Sequence, residues 1–318
     1  MRVCWFIAAL GGVLIGCSSA PPAAESARGS APRAVSEQHA RGPSSYYGKS
    51  HAVVIGIDEY TALPRLGYGV NDARAVAQAL ESRGFEVTRL LGAQATKPNI
   101  ERVLFKTLPA ALEKNDRVLV FFAGHAVSKY DVGYLMPMAA STDDAAYAGV
   151  KMTELQGVFA DRDMYPAKHV LFVANACFAN LALGSRGAGL DRETQSYVRH
   201  IVSQSVRVAF SAGRDGEPVG EQGGRGIFTR LFIEGIDGAA DHNGDGIVTT
   251  AELWPFLSKQ VAEASQHRQT PQYQRLGRGE FVFRAPEAKA PAVSALRGLG
   301  LEVAVSSKSA GPLEVTAR

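Results

Sequence analysis

Two apolar runs that end in reactive side chains decide the fold: residues 117–125 read RVLVFFAGH, and residues 170–177 read VLFVANAC. Unbroken β-branched and aromatic runs of this length are typical of strands buried on both faces of a parallel sheet. In open parallel sheets, functional groups gather beyond the carboxyl ends of the strands. His125 and Cys177 each follow a run closely. If the two strands are parallel neighbours, the imidazole and the thiol emerge at one edge of the sheet.

The alternation of strands and helices continues on both sides of these runs. Further strands are predicted at 51–57, 85–91, 206–211 and 281–283, and helices at 71–84, 98–112, 226–236 and 251–265. Pro109 is expected to end or kink the second of these helices. The pattern predicts an α/β fold, a three-layer α/β/α sandwich with a mostly parallel sheet of about six strands, in one domain of residues 49–285.

The composition is that of an ordinary globular protein. Of 318 residues, 46% are hydrophobic and 20% are charged. The 34 basic and 31 acidic residues leave a net charge of +3 without a dense basic run. Nucleic-acid binding therefore has little support, and no motif calls for an organic cofactor.

The first 17 residues have the pattern of a signal peptide. Arg2 is followed by an apolar run of about 13 residues, which is too short to span a bilayer as a stable helix. The run ends in Leu-Ile-Gly-Cys at 14–17, which resembles the lipobox of bacterial lipoproteins and implies lipidation of Cys17. Ser18 favours the outer membrane. The alternative is a plain signal peptide that contains a cysteine.

Residues 18–48 are rich in Ser, Ala, Pro and Gly, and we expect them to form a flexible tether. The domain would then face the periplasm or the exterior on a lipid anchor in the cell envelope. Residues 286–318 form a tail to which the sequence assigns no role.

Only one of the three cysteines is expected to keep a free thiol in the mature protein. Of the three cysteines, Cys4 leaves with the signal peptide, and Cys17 is consumed by lipid. In an oxidising compartment, the remaining Cys177 is either an inert buried residue or a nucleophile. Beside His125 it would form a Cys–His pair, in which the imidazole takes the thiol proton and later protonates the leaving amine. Singly, each residue is more often structural.

Seven sequence blocks between residues 51 and 283 resemble the caspase/metacaspase clan in order and spacing. The blocks are VVIGIDEY, GVNDARAVAQAL, VLVFFAGHA, GYLMP, VLFVANACFA, VAFSAGRDGE and GIFTRLFIEGI. The separation of His125 and Cys177, 177 − 125 = 52, is close to the value of about 50 in caspases. The resemblance implies a cysteine endopeptidase with these two residues as its catalytic pair, acting on peptide or protein substrates.

The departures from the family bear on specificity. Asn175 stands where metacaspases have an acid two residues before the nucleophile, and Ala126 replaces a common glycine. Asp72 keeps the second family acid. The resemblance therefore implies that Asp72 and Asn175 shape a pocket for Arg or Lys, with one carboxylate rather than two. The alternative is a weak or inactive calcium-binding scaffold.

The segment after the nucleophile is expected to be processed by the enzyme itself. Residues 184–200 are polar and glycine-rich, and they contain Arg186, Arg192 and Arg199 as candidate cleavage positions.

Residues 241–252 match the calcium loop of an EF-hand, D-x-[DN]-x-[DN]-G-x5-E. Oxygen atoms at loop positions 1, 3, 5, 7 and 12 converge on the cation in such loops. The predicted Ca²⁺ ligands are Asp241, Asn243, Asp245, the carbonyl group of Ile247, and Glu252. Only one such loop is present, so we expect modest affinity. The alternative is an acidic turn that matches by chance.

Overall fold

The computed structural model describes residues 46–177 and 195–286, with the backbone alone for Cys177 and residues 195–197. The predicted signal peptide, the lipobox, nearly all of the tether, the processing positions Arg186 and Arg192, and the tail lie outside the described residues. Tyr47, at the end of the predicted tether, is 5% exposed and packs against Val198, Ile201 and Val282.

The described residues contain thirteen strands. They are β1 (Ser50–Gly56), β2 (Glu86–Leu91), β3 (Arg117–Ala123), β4 (Ala126–Lys129), β5 (Val132–Leu135), β6 (Val150–Lys151), β7 (His169–Cys177), β8 (Val206–Gly213), β9 (Glu221–Gln222), β10 (Arg225–Gly226), β11 (Ile247–Thr249), β12 (Gln272–Gly277) and β13 (Val282–Arg284).

Eight α-helices lie between them. They are α1 (Gly69–Glu81), α2 (Lys97–Arg102), α3 (Leu108–Ala111), α4 (Ala145–Ala148), α5 (Met152–Ala160), α6 (Gln195–Ser203), α7 (Ile227–Glu234) and α8 (Thr250–Ala264). No helix among the described residues is long and apolar enough to cross a bilayer.

A six-stranded sheet in the order β12-β8-β7-β3-β1-β2 forms the centre of the fold. All neighbours are parallel except β12, which runs antiparallel to β8. This confirms the predicted α/β class with a mostly parallel sheet. The identity of the sixth strand differs from the prediction. The run at 281–283 pairs as β13 with β11 in a separate sheet, and the sixth strand is β12, whose polar sequence QYQRLG lacks an apolar run.

Apolar clusters cover both faces of the sheet. One cluster joins α1, α7 and α8 to residues such as Val54, Phe121 and Phe210. The other joins α2, α3 and α5 to the alternate residues, such as Ile55 and Phe122. Because successive strand residues point to opposite faces, the continuous apolar runs supply both clusters at once.

The predicted helix over 98–112 is interrupted before Pro109. Residues 103–107 form a π-helical turn, and Pro109 lies in the first turn of α3. Proline has no N–H group and its ring crowds the carbonyl group four residues earlier, so the helix widens just before it.

Between β3 and β7 the chain forms a small antiparallel sheet, β4-β5-β6, that the sequence did not predict. β4 begins directly after His125. The β4–β5 turn uses Tyr130 and Asp131 at φ 54° and 59° rather than the Asn-Gly pair that marks such turns in sequences.

Candidate functional site

The backbone carries His125 and Cys177 to neighbouring positions at one edge of the sheet. β3 and β7 are parallel neighbours, and Ala123 pairs with Asn175 at the end of the shared register. The offset of this pairing, 175 − 123 = 52, equals the separation of His125 and Cys177, 177 − 125 = 52. Neighbouring strands lie about 4.8 Å apart. His125 and Cys177 each follow this last shared rung by two residues, His125 after the end of β3 and Cys177 as the last residue of β7.

Two partners from the segment after β1 hold His125, which is half-buried. Its backbone N–H donates to the Tyr60 hydroxyl at 2.8 Å, and the two rings lie 4.8 Å apart. Its Nε2 lies 2.8 Å from the carbonyl oxygen of Pro64. A carbonyl oxygen can only accept, so Nε2 carries the proton, and the lone pair of the neutral imidazole is on Nδ1.

Tyr60 and Pro64 were not identified from the sequence, because the segment between β1 and α1 shows no periodicity. Burial raises the pKa of Tyr60 well above its usual range, so its hydroxyl group stays neutral beside His125. The signal available in the sequence was topological. β1 and β3 flank the point where the strand order reverses, and loops at that point commonly carry ligand-binding residues.

β7 becomes irregular just before the nucleophile candidate. Ala174 pairs with Ser211 of β8, and Cys177 pairs with Gly213. Three residue steps on β7 therefore face two on β8, which is the count of a β-bulge. Bulges re-aim side chains beside active sites. Here the irregularity falls between the regular strand and Cys177.

Asp72 and Asn175, the predicted pocket residues, are buried and form a hydrogen bond with each other. The Asn175 Nδ2 donates to Asp72 Oδ2 at 2.7 Å. The same oxygen accepts from the Thr229 hydroxyl at 2.7 Å, and the backbone N–H of Gly226 donates to both carboxylate oxygens at 3.1 and 3.2 Å. Asp72, Asn175 and Thr229 are each 0% exposed.

Burial dominates the electrostatics of this cluster. It raises the pKa of Asp72 to about 6, while the hydrogen bonds from Thr229, Gly226 and Asn175 limit the rise. Asp72 is thus mostly ionised at neutral pH. Asn175 Oδ1 is buried and has no hydrogen-bond partner among the described residues.

The loop predicted to bind calcium is a tight turn between the helical segment after α7 and helix α8. Asp241 accepts hydrogen bonds from the backbone N–H groups of Gly244 and Gly246, both at 2.9 Å. Gly246 has φ +80°, which explains the glycine at this position. The next residues form β11, which pairs antiparallel with β13.

Of the five predicted ligand positions, Asp241, Asn243 and Asp245 lie in the turn, Ile247 begins β11, and Glu252 lies in the first turn of α8. Asn243 and Asp245 accept from the N–H groups of Asp245 and Ile247, and Glu252 closes a capping box with Thr249 at the start of α8. In the described part of the chain, no three His, Cys, Asp or Glu side chains are grouped closely enough to hold a metal ion. The donor set is nonetheless the all-oxygen kind that Ca²⁺ prefers.

A second buried histidine lies at the opposite edge of the sheet. His169, at the amino end of β7, is 0% exposed. Its Nε2 faces the carbonyl oxygen of Gln204 at 2.8 Å, so Nδ1 accepts from the Tyr47 hydroxyl at 2.7 Å. Burial lowers the pKa of His169 to about 3, helped by nearby Lys168, Arg207 and Arg117. This imidazole is therefore a neutral part of the core.

Comparison with known proteins gives a family for the domain. A crystal structure of a protein from Geobacter sulfurreducens superposes with a TM-score of 0.49 at 16% identity, covering 76% of this chain and 95% of that one; at this score the match adds nothing to the family assignment. A search of curated proteins finds no match. The family model described as "Caspase domain" matches residues 49–282, which include β1, His125 and Cys177 and end at the first residue of β13. This chain therefore belongs to the caspase domain family.

Proposed function

We propose that this protein is a cysteine endopeptidase in which His125 and Cys177 form the catalytic dyad. Its membership of the caspase domain family supports a cysteine peptidase-type hydrolase that acts on peptides or proteins. The observation that supports the dyad is the parallel pairing of β3 and β7, whose last shared rung, Ala123 with Asn175, precedes His125 and Cys177 by two residues each.

The hydrogen bonds of His125 suit it to general acid–base catalysis. With the Nε2 proton directed at Pro64, Nδ1 is the atom that receives the thiol proton. The Cys177 sulfur attacks the substrate carbonyl carbon, and the protonated imidazole then gives its proton to the leaving amine. Water hydrolyses the resulting thioester and regenerates the thiol. The N–H group of Cys177 is a candidate donor to the oxyanion.

The preference for Arg or Lys remains a prediction from the family resemblance. It depends on Asp72, whose carboxylate is already occupied by three donors. Self-processing in the segment after Cys177 is a second part of the proposal. The candidate positions are Arg186, Arg192 and Arg199, and since Arg199 lies within helix α6, cleavage there would require that helix to unwind.

Peptide libraries with Arg, Lys or Asp before the scissile bond test the activity. We expect turnover that is abolished in Cys177→Ala and His125→Ala, and alkylation of Cys177 by iodoacetamide with a thiol pKa below the ordinary value. His267→Gln, which changes an exposed histidine, is the control and should retain full turnover. If no peptide is cleaved and Cys177 is not alkylated, the alternative of a non-catalytic scaffold is correct.

We further propose that the 241–252 loop binds Ca²⁺ through Asp241, Asn243, Asp245, the Ile247 carbonyl oxygen and Glu252. The ion would cross-link the loop to the start of α8. Titration with calcium should raise the Tm of the wild type and of Asp237→Asn, a nearby acid outside the loop, but not that of Glu252→Gln. An equal rise in Glu252→Gln contradicts the site. Assays with and without calcium show whether the ion also controls turnover.

We propose that Cys17 is lipidated and attaches the protein to the bacterial envelope, with the outer membrane favoured. The sequence pattern Leu-Ile-Gly-Cys supports this. Cells fed labelled palmitate should yield labelled wild-type protein in the membrane fraction, and Cys17→Ser should carry no label. Cys4→Ser is the control, and it should be labelled like the wild type.

A further inference from the structure

The cluster around Asp72 is closed to a substrate side chain. A Cβ atom on Gly226 would lie 2.7 Å from Asp72 Oδ2 and closer still to Asn175 Nδ2. The main chain of α7's N-cap residue therefore rests directly on the carboxylate and the amide. All three donors to Asp72 come from the protein, and the residue has no exposed surface.

The same cluster joins three elements, one of which is the strand that carries Cys177. Asp72 lies in the first turn of α1, Asn175 is two residues before Cys177 on β7, and Gly226 and Thr229 begin α7. A carboxylate at this end of α7 also interacts favourably with the helix dipole. The bond from Asn175 forms although it leaves Oδ1 without a partner, and a buried orphan acceptor costs about 1–3 kcal/mol.

The hydrogen bond from Asn175 to Asp72 holds β7 where its pairing with β8 is irregular. The register shift relative to β8 falls between Ala174 and Cys177, so the sheet holds this stretch less regularly on that side. The side chain of Asn175 lies within the shifted stretch. Its bond to Asp72 is therefore placed to fix the main chain that carries the thiol.

We propose that Asp72 is a positioning residue, which ties the end of β7 to α1 and α7 and does not contact the substrate side chain. The proposal rests on the peptidase function above, and it assigns Asp72 a different role from the pocket acid implied by the family resemblance. Its consequence is that Asp72 contributes to turnover for every substrate and gives no preference for a basic residue.

The test uses two peptides that differ only in having arginine or glutamine before the scissile bond. Asp72→Asn replaces one acceptor oxygen by an NH₂ group, which faces either the N–H of Gly226 or that of Asn175, depending on how the amide is oriented. We expect kcat to fall between about tenfold and a hundredfold for both peptides, since small misplacements of reacting groups have effects of this size. KM should stay within twofold. The swap Asp72→Asn with Asn175→Asp restores one donor–acceptor pair, and it should recover kcat on the glutamine peptide.

Asp116→Asn is the matched control. Asp116 is also a buried aspartate, 1% exposed, and it accepts N–H bonds from Lys49 and Glu113 at 2.7 and 2.8 Å. It lies at the amino end of β3, away from the site. We expect kcat of its variant to stay within twofold of the wild type. If Asp72→Asn does not fold, Thr229→Val removes one donor at constant charge and should lower kcat several-fold on both peptides.

A loss confined to the arginine peptide, or a rise in KM with kcat retained, overturns the proposal. Failure of the swap to recover any kcat also overturns it. If the wild type cleaves neither these peptides nor any library peptide, the proposed function has failed, and iodoacetamide alkylation of Cys177 decides the role of Asp72. The positioning role then requires at least a threefold change of alkylation rate in Asp72→Asn and none in Asp116→Asn. Equal rates in all three proteins refute it.

Discussion

Replacing His169 with glutamine is expected to reduce the sensitivity of the fold to acid. In the folded domain, the pKa of His169 is about 3, because the ring is buried between Tyr47 and Gln204. In the unfolded chain an imidazole has a pKa of about 6.5. Between these two pKa values, His169 binds a proton in the unfolded state but not in the folded state. The free energy of unfolding therefore decreases as the pH falls below 6.5 toward 3.

The size of the effect follows from the two pKa values. Between pH 7 and pH 5, the difference in proton binding removes about 2 kcal/mol of the free energy of unfolding. Asp72 acts in the opposite direction. Its folded pKa of about 6 lies above the ordinary value, so it adds about 1 kcal/mol as the pH falls over the same range. The total pH dependence thus hides the contribution of His169, and only a comparison with a variant isolates it.

Urea denaturation followed by circular dichroism, at pH 7 and pH 5, measures this difference. Glutamine can donate and accept but does not titrate. We expect His169→Gln to have a lower free energy of unfolding than the wild type at pH 7. The difference between the two proteins should be smaller by about 2 kcal/mol at pH 5. Met164→Leu, which replaces an exposed side chain that does not titrate, should show the same difference from the wild type at both pH values. A gap for His169→Gln that is unchanged within about 0.5 kcal/mol would show that this imidazole is not held neutral in the fold.

Three further substitutions test contacts at the site and the loop. Gly226→Ala should cost about 1–3 kcal/mol in urea denaturation, because its methyl group meets the buried carboxylate cluster; an unchanged midpoint contradicts that packing. Tyr60→Phe leaves the His125 N–H without its acceptor, so we expect a cost of about 1–3 kcal/mol and a lower kcat in the peptide assay, whereas wild-type kcat would remove Tyr60 from the site. Gly246→Ala forces φ +80° on a residue with a Cβ atom, and it should cost about 1 kcal/mol and weaken calcium binding in calorimetry; an unaltered Kd speaks against the loop geometry.

The parts of the fold that the sequence predicted are those with a strong local signal. The buried runs at 51–57, 117–123 and 170–174 became central strands, because a parallel sheet needs apolar side chains on both faces. The strand β12 was missed because it is a polar edge strand, and edge strands carry few apolar residues. The run at 281–283 was assigned to the wrong sheet, since pairing partners depend on tertiary structure.

In the candidate site, too, features with a local sequence signal were predicted, and features that depend on tertiary structure were missed. The positions of His125 and Cys177 at strand ends were readable from the chain, and the family assignment agrees with their motifs. The residues that form hydrogen bonds with the site residues could not be predicted from the sequence. Tyr60, Pro64 and Thr229 come from segments far away in sequence, and each acts through one hydrogen bond that depends on the folded arrangement. No periodicity or spacing marks such residues.

The pairing of β11 with β13 gives the loop that we propose to bind Ca²⁺ the strand neighbour that a second loop commonly supplies to an EF-hand. Ala285 extends this contact by donating its N–H to the Gly246 carbonyl oxygen at 3.0 Å. The turn is thus ordered by main-chain bonds within its own domain. Treatment with a chelator is therefore expected to remove the proposed Ca²⁺ ion and leave the domain folded, in contrast to small zinc domains that unfold when their metal is removed.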